Sequence, residues 1–496
     1  MLLNLRFHPG ASNKYHMEAN TQILIVMVCY LVFLVAWGIY QGRKVKTAED
    51  YAIAGRKLPG WAAALSERAT GESSWALLGL PGLAYATGIA GIWTAIGCVA
   101  GIVTAWAAIA WRLRDEADNY GVTSFTGYLA KRHGEVGRWI RVIASLTIVF
   151  FFFFYVGAQF LGGGKTLNAL FHIKPAHGML ITALIILPYT VYGGFRSVIY
   201  TDVIQALVMI FALVAGPIIG ILYIAKTPDL FASSIPEALR LAGPSFTSLT
   251  GVATGFSAGV LIMSGLSWFF GYLGGQPQLT MRFMAIRDPQ QAKKGRNIGI
   301  LWTVVAYVGA LALGWIGIAI FGPGTLADQE QVMPSVMLRI FPPALAALLI
   351  AGAIAAMVST ADSLLILSAN ELTDNLLSDK GEGKAGRSKL MRSRLVTALL
   401  AVIALIAAWF SPSNLIFTLV AYVWAGVGAP FSVVILLTLF WKRFHGRAAI
   451  VTILTGVLIT ILWVITGFEK HAALVVSFLA SALVAVLSTL LIPKKN

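Results

Sequence analysis

Charge is what this chain has least of: 12% of its 496 residues are Asp, Glu, Lys or Arg, where soluble domains carry about 25%. Cysteine is nearly absent too. Only Cys29 and Cys98 occur, each inside an apolar run, which excludes a disulfide framework or a Cys-based metal cluster. Both read as small buried hydrophobes. Acidic residues number 21 against 37 basic ones, a net charge of +16. Such a surplus suits nucleic acid only when gathered on one face, and here it is dispersed over short connections, which argues against a nucleic-acid partner. The sequence offers no nucleophile–base pair, nucleotide-binding loop or metal cluster, so it points away from an enzyme and implies no cofactor.

What is abundant is apolar. Hydrophobic residues make up 58% of the chain, and a helical crossing needs about 20 of them in a row. Thirteen runs qualify, near 21–41, 60–82, 87–112, 139–162, 176–193, 200–224, 250–275, 296–321, 343–376, 393–410, 412–438, 447–466 and 470–491. The expected fold is an all-α polytopic membrane protein. The first run is too long for a signal-peptide core and lacks a cleavage site. Residues 1–16 look unrelated to the rest of the chain and Met17 directly precedes the first run as an alternative start, so 1–16 is set apart from the fold reasoning as an N-terminal extension. The expected division is 17–59 for the first helix and its loop, 60–438 for a core in two halves (60–224 and 250–438), and 439–496 for two peripheral helices and a short tail.

The connections test this set of runs. Those beginning with 42–59, and every second one after it, hold 23 Lys and Arg, including Arg196 and Arg282; the opposite set holds 7, including Lys165. Positive charge collects on the cytoplasmic side, which predicts an outside N-terminus, a cytoplasmic C-terminus and a place in the cytoplasmic (inner) membrane. Lys165 reads as a residue that snorkels to the interface.

The second run, WAAALSERATGESSWALLGLPG (61–82), is anomalous. It carries Glu67, Arg68 and Glu72, each of which costs at least about 2.5–3.5 kcal/mol at the centre of a membrane helix. They need a polar interior. Arg68 and Glu72 stand i,i+4 on one helical face, where they can form an ion pair. The same run is interrupted by Gly71 and Pro81, and the seventh by Gly271, Gly274, Gly275 and Pro277. Two interrupted helices an odd number of spans apart point to an inverted-repeat transporter with its site at mid-membrane. The tract FFFFFY (150–155) reads as lipid-facing or packing, with Tyr155 singled out.

Five stretches then carry a resemblance: GGFRSVIYTDVIQ (193–205), ALSERATGESSWALLGLPG (64–82), GYLGGQPQLTMRFMA (271–285), AAMVSTADSLL (355–365) and AYVWAGVGAPF (421–431). Over about residues 21–490 the chain resembles the sodium/solute symporters, most closely the bacterial proline symporters. The resemblance implies a LeuT-type core of two inverted five-helix repeats, spans 2–6 and 7–11, with three peripheral helices. It implies a sodium ion held by the carbonyls of Ala69, Glu72 and Ala356 and the hydroxyls of Ser359 and Thr360. A second cation or proton site falls on Asp202, Asp362 and Ser363, unless Asp202 is a structural carboxylate paired with Arg196. The substrate pocket falls on Ser73, Ser74, Trp75, Tyr155, Trp268, Tyr272 and Pro277, where aromatic walls suit a compact ring and half-helix N-termini suit a carboxylate.

The chain departs from the family at the anomalous second run. The proline symporters carry an Asp where this chain has Gly71, and small residues where it has Glu67 and Arg68. Three readings stay open: Glu72 takes over the role of that Asp; Glu67, Glu72 and Asp362 couple transport to protons; or Glu67, Arg68 and Glu72 form a closed structural network. The expected function is import of proline or a similar small amino acid by cation symport, with Na⁺ as the coupling ion. The alternatives are a proton-coupled or uncoupled transporter of the same fold, or a substrate sensor acting with a partner.

Overall fold

A computed structural model describes residues 13–45, 53–375, 385–410, 415–467 and 472–492. Residues 1–12 of the expected extension lie outside these, and 13–16 belong to the first helix. The described chain is a bundle of helices whose only strand-like contact is the bridge between Leu58 and Ile286.

The helices are α1 (Asn13–Gly42), α2 (Gly60–Ser74), α3 (Leu80–Thr87), α4 (Ile92–Thr104), α5 (Ala110–Asn119), α6 (Phe125–Arg132), α7 (Gly137–Phe171) and α8 (Pro175–Lys226). They continue with α9 (Ile235–Ala242), a single turn at Pro244–Thr247 left unnumbered, α10 (Gly255–Leu266), α11 (Trp268–Gly271), α12 (Pro277–Met284), α13 (Pro289–Phe321) and α14 (Val332–Ile340). The last six are α15 (Pro343–Asn375), α16 (Ala385–Trp409), α17 (Ile416–Val423), α18 (Ala429–Phe440), α19 (Gly446–Thr466) and α20 (Ala473–Leu491).

Among the described residues, eleven helical stretches are long and apolar enough to cross a bilayer. One of them, Gly60–Asn119, runs through both the second and third expected crossings, and the seventh is the shorter apolar helix Gly255–Gly271. The fifth and sixth are joined within α8 by a break at Gly194 (φ 59°). Burial separates an inner from an outer set. In the stretch over Pro343–Thr373, 83% of the apolar window is buried, against 28% for Glu18–Gly42 and 33% for each of Gly446–Thr466 and Ala473–Leu491. The first and the last two helices therefore belong to the outer set, together with Met391–Trp409 at 28%, and α15 lies inside, packed on α2, α7 and α8.

Small residues set that packing. Three successive glycines on α7 face three neighbours: a Cβ at Gly162 would meet Ser74 Cβ at 2.9 Å, at Gly163 the Thr182 hydroxyl at 2.1 Å, and at Gly164 the Pro175 carbonyl at 2.6 Å. Lipid supplies little hydrophobic drive between helices, so such close backbone approach does the work instead.

Several expectations change. Cys98 is buried, but Cys29 is exposed on the outer face of α1. The phenylalanine tract, expected to face lipid or pack, does both: Phe150 and Phe154 face outward, while Phe151, Phe152 and Tyr155 are buried. Arg282 and Lys165 are no loop residues; they are 1% and 4% exposed. Lys165 does not snorkel, because Glu330 and Asp328 hold its ammonium inside at 2.6 and 2.7 Å. Without these two the charge asymmetry between the sets of connections persists, 22 against 6.

Candidate functional site

The second span breaks at Ser73, whose backbone turns to φ 41°, ψ −163°. Gly71 does not make the break, contrary to the sequence expectation, because it keeps helical geometry. In a regular helix the Ser74 N–H would bond the Thr70 carbonyl. Here it donates to Gln159 Oε1 at 3.1 Å, and the vacated Thr70 carbonyl accepts the Thr360 hydroxyl at 2.9 Å. The chain then enters a π-turn, Trp75–Gly79, before Pro81 starts α3. The seventh span breaks where expected. After α11 the backbone leaves the helix, Gly274 adopts φ 82°, and Pro277 opens α12. Another π-turn, Trp424–Gly428, interrupts the span formed by α17 and α18. Such turns recur where a helix serves a site.

The two π-turns and the broken seventh span bring large rings together. Trp75 stacks on Trp268 at 4.5 Å between centroids, Trp424 lies 5.5 Å from Trp268 and 4.2 Å from Tyr272, and Phe417 lies 5.3 Å from Trp268. Tyr155 approaches the break through a 3.4 Å contact with the Ser73 hydroxyl, and Tyr272 bonds Tyr307 at 3.1 Å. Pro277 is buried at the first position of α12. The expected substrate residues thus converge. Trp424, Phe417, Tyr307 and Gln159 join them unforeseen, although Trp424 sits inside the stretch AYVWAGVGAPF. Around this wall four buried polar atoms have no hydrogen-bond partner in the protein: Glu72 Oε2, Ser74 Oγ, Gln276 Nε2 and Trp424 Nε1. Such atoms are rare in folded proteins and each is a place for a ligand or water to bond.

The residues expected to hold sodium lie at the same level. Ser359 and Thr360 are fully buried on α15 and face α2, with Ser359 Oγ 3.2 Å from Thr70 Oγ1. The Glu72 carbonyl accepts the Trp75 N–H, so it remains partly engaged. Two hydroxyls beside the Thr70 carbonyl released by the helix break offer the oxygens that a hard cation prefers.

Two charge networks flank this level. In the first, Arg68 donates from Nε to Glu67 Oε2 at 2.6 Å, from Nη2 to Glu67 Oε1, and from Nη1 to Glu72 Oε1 at 2.8 Å. Thr303 and Trp106 complete it, Trp106 Nε1 donating to Glu67 Oε2 at 3.0 Å. In the second, Asp202 pairs with Arg282 at 2.9 Å. The pairing with Arg196 considered from sequence does not occur; Arg196 lies over the Tyr200 ring. Asp202 also accepts the Ser66 and Ser359 hydroxyls at 2.5 Å each. Ser363 lies 3.4 Å from Asp362 Oδ1 and donates to the Ser359 carbonyl at 2.7 Å. No sequence pattern announces Arg282, which by position alone counts among the loop charges. Further along, Glu330 accepts Lys165 together with the Ile416 and Phe417 N–H groups, both at 3.0 Å, and so caps α17.

The model of the family described as "Sodium:solute symporter family" matches residues 51–456. The chain is 31% identical over 454 residues to the high-affinity proline transporter PutP of Bacillus subtilis, covering 90% of this chain and 93% of that one. It is 32% identical over 467 residues to a sodium/proline symporter of Staphylococcus aureus, covering 92% and 88%. Among solved structures, a Na⁺-coupled sialic acid symporter in a substrate-bound outward-open state matches with a TM-score of 0.78 and 21% identity, covering 96% of this chain and 99% of that one. The nucleobase-cation-symport transporter Mhp1 in a closed conformation matches with a TM-score of 0.53 and 14% identity, covering 88% and 93%.

Proposed function

This chain belongs to the sodium:solute symporter family, transporters and not enzymes, and on that premise we propose that it imports proline or a similar small amino acid by symport with Na⁺. It is a multi-pass membrane protein, and we assign its N-terminus to the outside and its C-terminus to the cytoplasm of the inner membrane.

The observation that carries this reading is the helix break at Ser73 against Ser359 and Thr360. A helix that surrenders its own bonds at mid-span, beside two buried hydroxyls, offers oxygens less committed to the backbone ladder for a cation to take. Ala69, Glu72 and Ala356 would contribute carbonyls and Ser359 and Thr360 hydroxyls. The adjoining wall of Trp75, Trp268, Tyr272 and Trp424 suits a compact apolar ring, with Ser73, Ser74, Tyr155 and Pro277 around it. The unpartnered Trp424 Nε1 and Gln276 Nε2 are donors suited to a carboxylate, and Glu72 Oε2 is an acceptor suited to an amine. Alternating access has two ion pairs to work with: Lys165–Glu330 ties the outer end of α7 to α17, Arg282–Asp202 ties α12 to α8, and release of one at a time would open one side.

Of the three readings of Glu67, Arg68 and Glu72, the geometry favours the structural network, since Arg68 engages both carboxylates. The core division at 60–224 and 250–438 fits the two broken helices, one in each half. Labelled proline uptake into proteoliposomes, with Na⁺ and H⁺ gradients imposed separately, tests the reading. Uptake driven by Na⁺ without a pH gradient is expected. Uptake driven only by H⁺ would replace the coupling ion, and binding without uptake would favour the sensor.

A further inference from the structure

We propose that the basic cavity at the start of α7 is a lipid site: Lys131, Arg138 and Arg141 hold the phosphate of one anionic glycerophospholipid, whose acyl chain lies along α7. The site is separate from the transport pathway and lies at the end of the bundle assigned above to the cytoplasm.

The cavity opens between the end of α6 and the first turns of α7 and measures about 640 Å³, with Gly134 and Val142 beside the three basic side chains in its lining. Small-ligand sites have this size, about 300–1,000 Å³. Two glycines shape it. Gly137 lets α7 come so close to α6 that a Cβ there would run into the Ala130 carbonyl, while Gly134 faces open space.

The three bases have no carboxylate partner among the described residues. Lys131 donates to the Tyr120 carbonyl at 2.9 Å, and the buried Nε of Arg141 meets no acceptor. The acidic side chains nearest in the chain are engaged elsewhere: Glu116 lies 3.6 Å from Arg132, and Glu135 lies 2.9 Å from Arg447. Uncompensated positive charge around one cavity calls for an anion, and two guanidinium forks match the oxygens of a phosphate.

The surface beyond the cavity selects a lipid over free phosphate. Arg138, Val142, Leu146 and Phe150 stand four residues apart, so one ridge of α7 leads from the cavity into the bilayer. Leu146 and Phe150 are 52% and 44% exposed on it. From Arg138 to Phe150 the helix rises about 18 Å, a little over half of a hydrocarbon core about 30 Å thick. That is the depth of one leaflet. Trp139, 63% exposed, stands at headgroup level beside Arg138. Basic pockets at the cytoplasmic ends of membrane helices hold anionic headgroups in this way.

The test is native mass spectrometry of the purified full-length protein in detergent, with thermal unfolding in parallel. The titrants are dioleoyl phosphatidylglycerol, dioleoyl phosphatidylcholine and inorganic phosphate. Wild type is expected to retain one phosphatidylglycerol under conditions that strip phosphatidylcholine, and to unfold at a higher temperature with it bound; inorganic phosphate gives no such protection. Arg138→Gln combined with Arg141→Gln weakens phosphatidylglycerol binding about 25-fold, about fivefold for each base, and leaves the Tm in phosphatidylcholine unchanged. Lys293→Gln combined with Lys294→Gln removes the same charge from exposed positions near the start of α13 and keeps wild-type binding. Phosphatidylglycerol held no better than phosphatidylcholine by wild type would overturn the site, and so would equal losses in the two double variants, which would reduce the effect to net charge. Equal protection by inorganic phosphate would make the ligand a soluble anion and overturn the lipid. If the arginine double variant does not fold, Arg138→Gln alone, at an exposed position, decides: binding about fivefold weaker supports the site and unchanged binding overturns it.

Discussion

Exchanging Glu67 and Glu72 for glutamine, one at a time and together, separates a structural carboxylate from a functional one. Arg68 gives Glu67 two N–H bonds and Glu72 one, and Glu67 also receives Trp106. All three charged groups are 2% exposed or less, so solvent screening does not discount them. A hydrogen bond to a charged group contributes about 1.5–3 kcal/mol, which is the expected loss in unfolding free energy for Glu72→Gln. Glu67→Gln turns an amide NH2 toward Arg68 and breaks a bidentate pair, for which about 3–5 kcal/mol is expected. The double variant leaves the guanidinium buried without a carboxylate beside it, so its cost exceeds the sum of the singles by a coupling of about 0.5–3 kcal/mol. The assay is equilibrium unfolding in mixed micelles of dodecyl maltoside and SDS, with uptake measured in parallel. Glu72→Gln should lower uptake more than stability, because its second oxygen lies free beside the aromatic wall. Equal stability losses, a reversed order or additive costs would refute the closed network.

Three further outcomes are expected. Thr360→Ala and Ser359→Ala each raise the Na⁺ concentration for half-maximal uptake about tenfold, the effect of one lost charge-assisted bond of about 1.4 kcal/mol; an unchanged Na⁺ dependence would exclude both from the ion site. Glu330→Gln removes the charge that Lys165 and the α17 N-terminus share, so a cysteine placed at Phe417, in a background lacking Cys29 and Cys98, should react faster with an impermeant maleimide; equal rates would show that the cluster is no latch. Asp288 caps α13 and is held below its ordinary 3.8 by the Gln291 N–H first and by Arg287. Its folded-state value is depressed, so the cap's contribution is complete above that ordinary value and fades as pH falls through the lowered one. Asp288→Ala should therefore cost stability near neutrality and nothing at strongly acidic pH, and a cost independent of pH would refute the cap.

Much of the site was legible because helix periodicity is local. Glu67, Arg68 and Glu72 announced themselves as charges in an apolar run, and the i,i+4 spacing of Arg68 and Glu72 is an observed ion pair at 2.8 Å. The breaks near residues 73 and 272–276 were signalled by glycine and proline. Their exact places were not. The second span opens at Ser73 because Gln159 takes one freed donor and Thr360 one freed acceptor, partners 85 and 290 residues away. Arg282 and Lys165 were misplaced for a related reason: counting positive charge near the ends of spans does not distinguish a side chain that reaches water from one that folds back into the bundle.

The sequence by itself determined the class of the molecule, the family, the helices that break and the charges that must be buried, since each follows from composition, from local motifs or from spacings of four residues or fewer. Tertiary structure alone decided which distant cation neutralises which carboxylate: Arg282 and not Arg196 for Asp202, and Lys165 for Glu330. The physical reason is that a buried charge pairs with whatever helix packing brings within about 3 Å, and that packing is set by close backbone approach at small residues far apart in the chain.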